Sequence, residues 1–163
     1  MVNAFHEDGG DMRDLRIQHM KVGDKYISST RIVTRTEIEN FCAVTGMKLP
    51  VFASDEWVNA SPEHQALGIK GCVAPGQFAQ AIFLGNLITD GLLDDVIVQL
   101  KTDNVKYLAP VYAYDMLRTE IEITGNRVSK SGTQVIIDYN WAVKNQSDIV
   151  VEQGVNTCMF KNK

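Results

Sequence analysis

Moving a proton onto or off a small molecule takes titratable side chains held within reach of one water. Such groups are scarce where this chain would place a site. The stretch TGMKLPVFAS (45–54) follows a well-marked helix, yet it holds no carboxylate, imidazole or thiol. Lys48 and Ser54 are its main polar side chains. Just beyond lie Asp55 and His64, a carboxylate and an imidazole that could serve as base or acid. Each has a plainer reading. Ser54 suits a helix N-cap and Asp55 the acidic first turn behind it, while His64 sits in a polar loop or helix end.

The elements that would position these residues are legible from patterning. Residues 25–33, KYISSTRIV, are rich in β-branched and aromatic types and predict a first strand. Thr34 followed by Glu37 is a capping box, so a helix is expected from about Arg35, with Ile38, Phe41 and Cys42 on one face and Gly46 as its stop. Ser54 opens a short second helix that Pro62 is expected to interrupt, and HQALGIKGCVAPG reads as a loop. Next, PGQFAQAIFLGNLITDG predicts about four helical turns beginning at Pro75 or Gly76. Its apolar residues point nearly all round the axis, so the rest of the fold must wrap it. Four strand-like segments follow, at 96–108, 116–128, 133–145 and 149–160, and short turns such as SKSG and NQSD imply antiparallel pairing. The expected fold class is α+β: an antiparallel sheet around a central apolar helix. Open sheet edges favour pairing across a two-fold axis, so a homodimer is expected.

Bulk properties narrow the function. A chain of 163 residues suits one domain and buries roughly two thirds of its surface on folding. Hydrophobic content of 45% and charged content of 22% are ordinary for a globular protein. A formal net charge of −4 argues against a nucleic-acid partner. No apolar run has membrane-spanning length, and the amino-terminal residues carry no signal or transit pattern, so a cytoplasmic location is expected. Cys42, Cys72 and Cys158 lie far apart without a Cys-x-x-Cys pair, which predicts neither disulfide nor metal site.

The series KVGDKYISSTRIVTRTEIENFCAVTG, VAPGQ, NVKYLAPVYAYD and VKNQSDIVVEQG resembles the MaoC-like dehydratases, the hot-dog fold family that includes (R)-specific enoyl-CoA hydratases. The likeness spans residues 20–161, which implies one hot-dog domain over 20–163 behind an arm at 1–19. The resemblance also implies a chemistry. In the family an Asp and a His on the loop after the first helix activate a water that adds to C3 of a trans-2-enoyl thioester. A backbone N–H at the start of the central helix, here Gly76, polarises the thioester carbonyl. Gly46 and Pro50 match the family loop, but Met47 takes the Asp position, Leu49 the Asn position and Phe52 the His position. Neither methionine nor phenylalanine can move a proton.

These readings imply an acyl-thioester binder, for CoA or a related carrier, with little or no hydratase activity. Its candidate substrate-binding residues are Gly76, Gln77, Met47, Leu49, Phe52 and Ser54. The three apolar substitutions either line an acyl pocket or fill a vacated one. Two alternatives stand beside this reading. One is a thioesterase using a relocated carboxylate at Asp55, with His64 a further candidate catalyst. The other is a non-catalytic scaffold that pairs with an active hot-dog chain. No cofactor, metal or membrane partner is implied beyond the thioester itself.

Overall fold

The capping box forms as its spacing predicts. Glu37 N–H donates to Thr34 Oγ1 at 3.2 Å, and Thr34 N–H donates to the Glu37 carboxylate at 2.7 Å. Helix α1 therefore runs Arg35–Thr45 and stops at Gly46, whose φ of 76° is the left-handed conformation glycine adopts without strain. These features come from a computed structural model that describes residues 16–162.

The single strand expected over 25–33 is split. β1, Lys25–Ile27, and β2, Arg31–Ile32, both pair with β4, Met116–Val128. Ser28 explains the break. Its N–H donates to the Thr119 carbonyl at 2.8 Å while its Oγ accepts from Thr119 N–H at 2.9 Å, so a side chain replaces one rung of the ladder. Residues 16–19, assigned to the arm by the sequence reading, lie against the domain. Ile17 is fully buried, its N–H donates to the Leu92 carbonyl at 3.0 Å, and Arg16 forms an ion pair with Asp95.

Between α1 and the central helix lie three short helices, where one helix and two loops were expected. They are α2, Pro50–Ala53, α3, Asp55–Asn59, and α4, Pro62–Ala66. Pro62 does not end a helix. It opens α4 as a first-turn residue, with Ser61 capping the N–H of His64, because proline lacks only an N–H that no helical carbonyl would have used there.

Helix α5, Gly76–Thr89, is the axis of the domain, with Pro75 as its N-cap rather than its first turn. Strands β3, Val96–Tyr107, β4, β5, Gln134–Lys144, and β6, Val150–Lys161, run in the order β1-β4-β5-β6-β3, all antiparallel, and curl around it. Leu117, Ile121 and Ile123 of β4, Ile137, Tyr139, Trp141 and Val143 of β5, and Cys158 and Phe160 of β6 are buried with Phe78, Ile82, Phe83 and Leu87 of α5. Phe83 stacks on Trp141 with ring centroids 4.3 Å apart and planes within 9°. Opposite Trp141 in register lies Gly154, where a Cβ would come within 2.6 Å of the indole. Glycine is therefore required there for the sheet to close over this stack.

At the APVYAYD corner, Asp115 accepts from Tyr112 N–H and from the Gln146 amide, both at 2.8 Å, and so ties the corner to the turn after β5. No helix among the described residues is long and apolar enough to cross a membrane. Because Phe83 is fully buried against Trp141, Phe83→Ala is expected to destabilise the domain by about 3–5 kcal/mol. Equilibrium urea unfolding, read as a lower midpoint at unchanged slope, checks this.

Candidate functional site

The first turn of any α-helix presents N–H groups without helical partners. In α5, no side chain caps them. Phe78 N–H folds back onto the Pro75 carbonyl at 2.9 Å, whereas Gly76 N–H and Gln77 N–H have no acceptor among the described residues. Two bonds fix the segment leading in: Val73 N–H to the Val51 carbonyl at 3.2 Å, and Ala74 N–H to the Val111 carbonyl at 2.8 Å. The first ties the α5 approach to α2, so the loop holding Met47, Leu49 and Phe52 is moored three residues before Gly76. The result is a pair of free donors at the positive end of a helix dipole, suited to a carbonyl oxygen that gains negative charge.

The other expected site residues divide sharply. Met47 and Phe52 are half-buried and Leu49 is 57% exposed, so none of the three has sunk into the core. The Gln77 side chain is exposed and makes no hydrogen bond among the described residues. Ser54 caps α3, its Oγ accepting from Trp57 N–H at 3.1 Å. Asp55 is fully engaged: one oxygen accepts from Cys72 N–H at 2.6 Å and the other from Arg35 at 3.2 Å. The Cys72 bonds, with Arg35 adding its charge, hold this carboxyl below the usual range, the wrong direction for a base working near neutrality. Asp55 staples α3 to the 71–72 turn, where Gly71, at φ 95°, leaves room for its carboxylate. His64 packs edge-on against Trp57 at 5.2 Å on α4, and its Nδ1 is buried without a partner among the described residues. Neither residue is joined to Gly76 by any described contact.

One residue outside the sequence-derived set borders the α5 terminus, and a second stands beside that residue on the neighbouring strand. Tyr107, at the end of β3, lies on Gly76 so closely that an added methyl there would strike its ring. Its cross-strand partner is Glu152 on β6. Glu152 is 1% exposed, and neither carboxylate oxygen has a hydrogen-bond partner among the described residues. Burial pushes its carboxyl up to about 8, and burial, with the nearby carboxyl adding to it, raises the Tyr107 phenol. Counting alternate positions back from Phe160 and Cys158 would have revealed an acid on the inward face of β6.

Two concavities open on the surface, of about 650 Å³ and about 440 Å³. The larger is lined by Lys25, Lys106, Glu120, Asn140 and Gln153, and neither is lined by Gly76, Met47, Leu49 or Phe52. Among the described residues no group of His, Cys, Asp and Glu is arranged to hold a metal ion.

Comparison with known proteins gives a consistent picture. The family described as MaoC like domain matches residues 18–145. None of the curated proteins compared with the chain gives a significant match. Among solved structures, the chain is similar to a MaoC-like dehydratase from Rhodospirillum rubrum, at 20% identity over 91% of this chain and 97% of that one, with a TM-score of 0.76. The R-hydratase PhaJ1 from Pseudomonas aeruginosa follows at 19% identity, 92% and 88% coverage and a TM-score of 0.71. A Mycobacterium tuberculosis protein with a double hotdog fold is 16% identical, covering 91% of this chain and 44% of its own length, at a TM-score of 0.72. The sheet around α5 is thus a hot-dog fold.

The elevated carboxyl of Glu152 has a consequence for stability. Its pKa is raised from 4.5 to about 8, so the native state holds a proton that the unfolded chain releases between those values. The stability this gives is complete below about pH 4.5 and lost as pH rises through 8. Glu152→Gln is expected to flatten that part of the pH profile and to be the more stable protein at pH 8. The gain should reach up to several kcal/mol, since each pK unit is worth about 1.4 kcal/mol. Chemical denaturation of both proteins across this pH range measures it.

Proposed function

This chain belongs to the MaoC-like domain family, and on that premise we propose that it binds an acyl thioester at the N-terminus of α5 with little or no hydratase activity. One observation carries the reading. The donors that would hold a thioester carbonyl, Gly76 N–H and Gln77 N–H, have no acceptor among the described residues, while the loop moored beside them offers Met47, Leu49 and Phe52. Backbone donors survive any change of side chain, but proton transfer does not. Such a site polarises a carbonyl without delivering or removing a proton.

The half-exposed apolar residues favour their role as acyl-pocket lining over a filled-in site, since a filled site would bury Phe52. A thioesterase built on Asp55 is disfavoured by the bonds that hold that carboxylate to Cys72 and Arg35. Isothermal titration with acyl-CoAs of several chain lengths is expected to show saturable binding, and no binding to any of them would leave a scaffold as the better reading. Hydration of crotonyl-CoA should run well below ~1 s⁻¹, the lower end of typical enzyme turnover. Installing Met47→Asp together with Phe52→His should raise it by about 10²-fold, the scale of a positioned acid–base pair.

We further propose that the working unit is a homodimer formed through β3. Among the described residues this strand pairs only with β6, and its other edge is long and flanked by exposed Val96, Ile97, Val98 and Leu100. An unprotected apolar edge of this length is a template for pairing. Light scattering at micromolar concentration is expected to give twice the chain mass, and a monomer would overturn the assignment.

A further inference from the structure

The larger concavity, about 650 Å³, lies on the face of the sheet turned away from α5. Along β5 the buried Tyr139, Trp141 and Val143 face the helix, so Asn140 and Ala142 between them face outward and line this groove. Strand register carries the groove across the sheet. Lys106 of β3, Gln153 of β6, Ala142 of β5 and Glu120 of β4 are successive cross-strand partners, and all four line it. The volume falls in the range of small-molecule sites. A break in the ladder shapes the β3 side. Asp103 lies opposite Val155 and Lys106 opposite Gln153, three steps along β3 against two along β6. Inside this β-bulge Asn104 takes a left-handed φ of 52° and lines the groove. Bulges re-aim side chains. With strict alternation Lys106 would turn toward the helix; the extra residue instead sets it on the outer face beside Gln153.

Charge within the groove is balanced except at one place. Lys25 pairs with Glu122 at 3.4 Å, and Glu120 pairs with Arg118 at 3.1 Å and Lys144 at 2.8 Å. Lys106 has no carboxylate partner among the described residues, and the side-chain amides of Asn104, Asn140 and Gln153 make no hydrogen bond there either. Each amide both donates and accepts. We propose that this groove is a second binding site, on the opposite face of the sheet from α5, for a small monocarboxylate whose neutral body carries amide groups. The carboxylate meets the Lys106 ammonium, and the amides of the body pair with those of Gln153 and Asn140. One ammonium balances one negative charge. A phosphate monoester carries about two near neutrality, and the excess would face Glu120 and Glu122. Size agrees with this choice. Neighbouring strands are about 4.8 Å apart, so Lys106 and Ala142, two strands away, are separated by about 10 Å. An acylated dipeptide, at about 3.5 Å per unit, covers that span.

The test is an NMR titration of the isotope-labelled full chain with N-acetyl-dialanine, with its neutral C-terminal amide, and with adenosine monophosphate. N-acetyl-dialanine is expected to shift the side-chain amide signals of Asn104, Asn140 and Gln153 saturably. It should bind at least tenfold more tightly than either of the other two compounds. Lys106→Met should weaken that binding at least tenfold, while Lys106→Arg, which keeps the charge, should retain it. The Lys106 side chain is exposed, and unchanged signals away from the groove would show that both variants keep the fold. No saturable shift at the groove, undiminished binding by Lys106→Met, or equal binding of the neutral amide overturns the site. Tighter binding of adenosine monophosphate than of N-acetyl-dialanine overturns the choice of a monocarboxylate. Should Lys106→Met not fold, the wild-type comparison of the acid with its neutral amide decides.

Discussion

A helix without a polar face cannot lie on a protein surface, and the architecture follows from that constraint. Phe78, Ile82, Phe83 and Leu87 of α5 are buried, so the sheet has to curl until strands reach round the axis. Curling brings Trp141 flat against Phe83, and only a glycine at 154 leaves room for the indole between neighbouring strands. The same wrapping leaves the helix one open end. Its N-terminus is where the chain arrives from α2 to α4, and where two backbone donors have no acceptor among the described residues.

The proposed site is therefore a by-product of how the core is closed, and its chemistry depends on what surrounds those donors. On one side the segment after α1 carries apolar Met47, Leu49 and Phe52 around Gly46 and Pro50. On the other side stands Tyr107 of β3, with Glu152 opposite it on β6, strands that sit together at one edge of the sheet. Burial keeps that acid protonated, whereas the tight bonds on Asp55 suit a staple rather than a base.

Local signals were legible wherever the deciding atoms were close in sequence. The capping box of Thr34 and Glu37, the glycine stop at 46, the Ser54 cap and all four long strands could be read from spacing. Misreadings arose where a distant element intervened or a neighbouring cap was overlooked. The first strand breaks because Ser28 spends its hydroxyl on Thr119 of β4, and Pro62 starts a helix because Ser61 is available to cap it.

The sequence by itself determined that an all-round apolar helix would be wrapped by antiparallel strands, and that the loop at 45–54 lacks a proton-moving pair. Both are consequences of residue type and short-range order, which the linear chain carries in full. Only the tertiary structure decided which polar groups are free to act. Asp55 is consumed by Cys72 and Arg35, whereas Glu152, far along the chain, is set opposite Tyr107 with no hydrogen-bond partner among the described residues. The physical reason is that a carboxyl group's reactivity is set by its partners and its burial, and those are supplied by strands and turns that meet only when the sheet closes around α5.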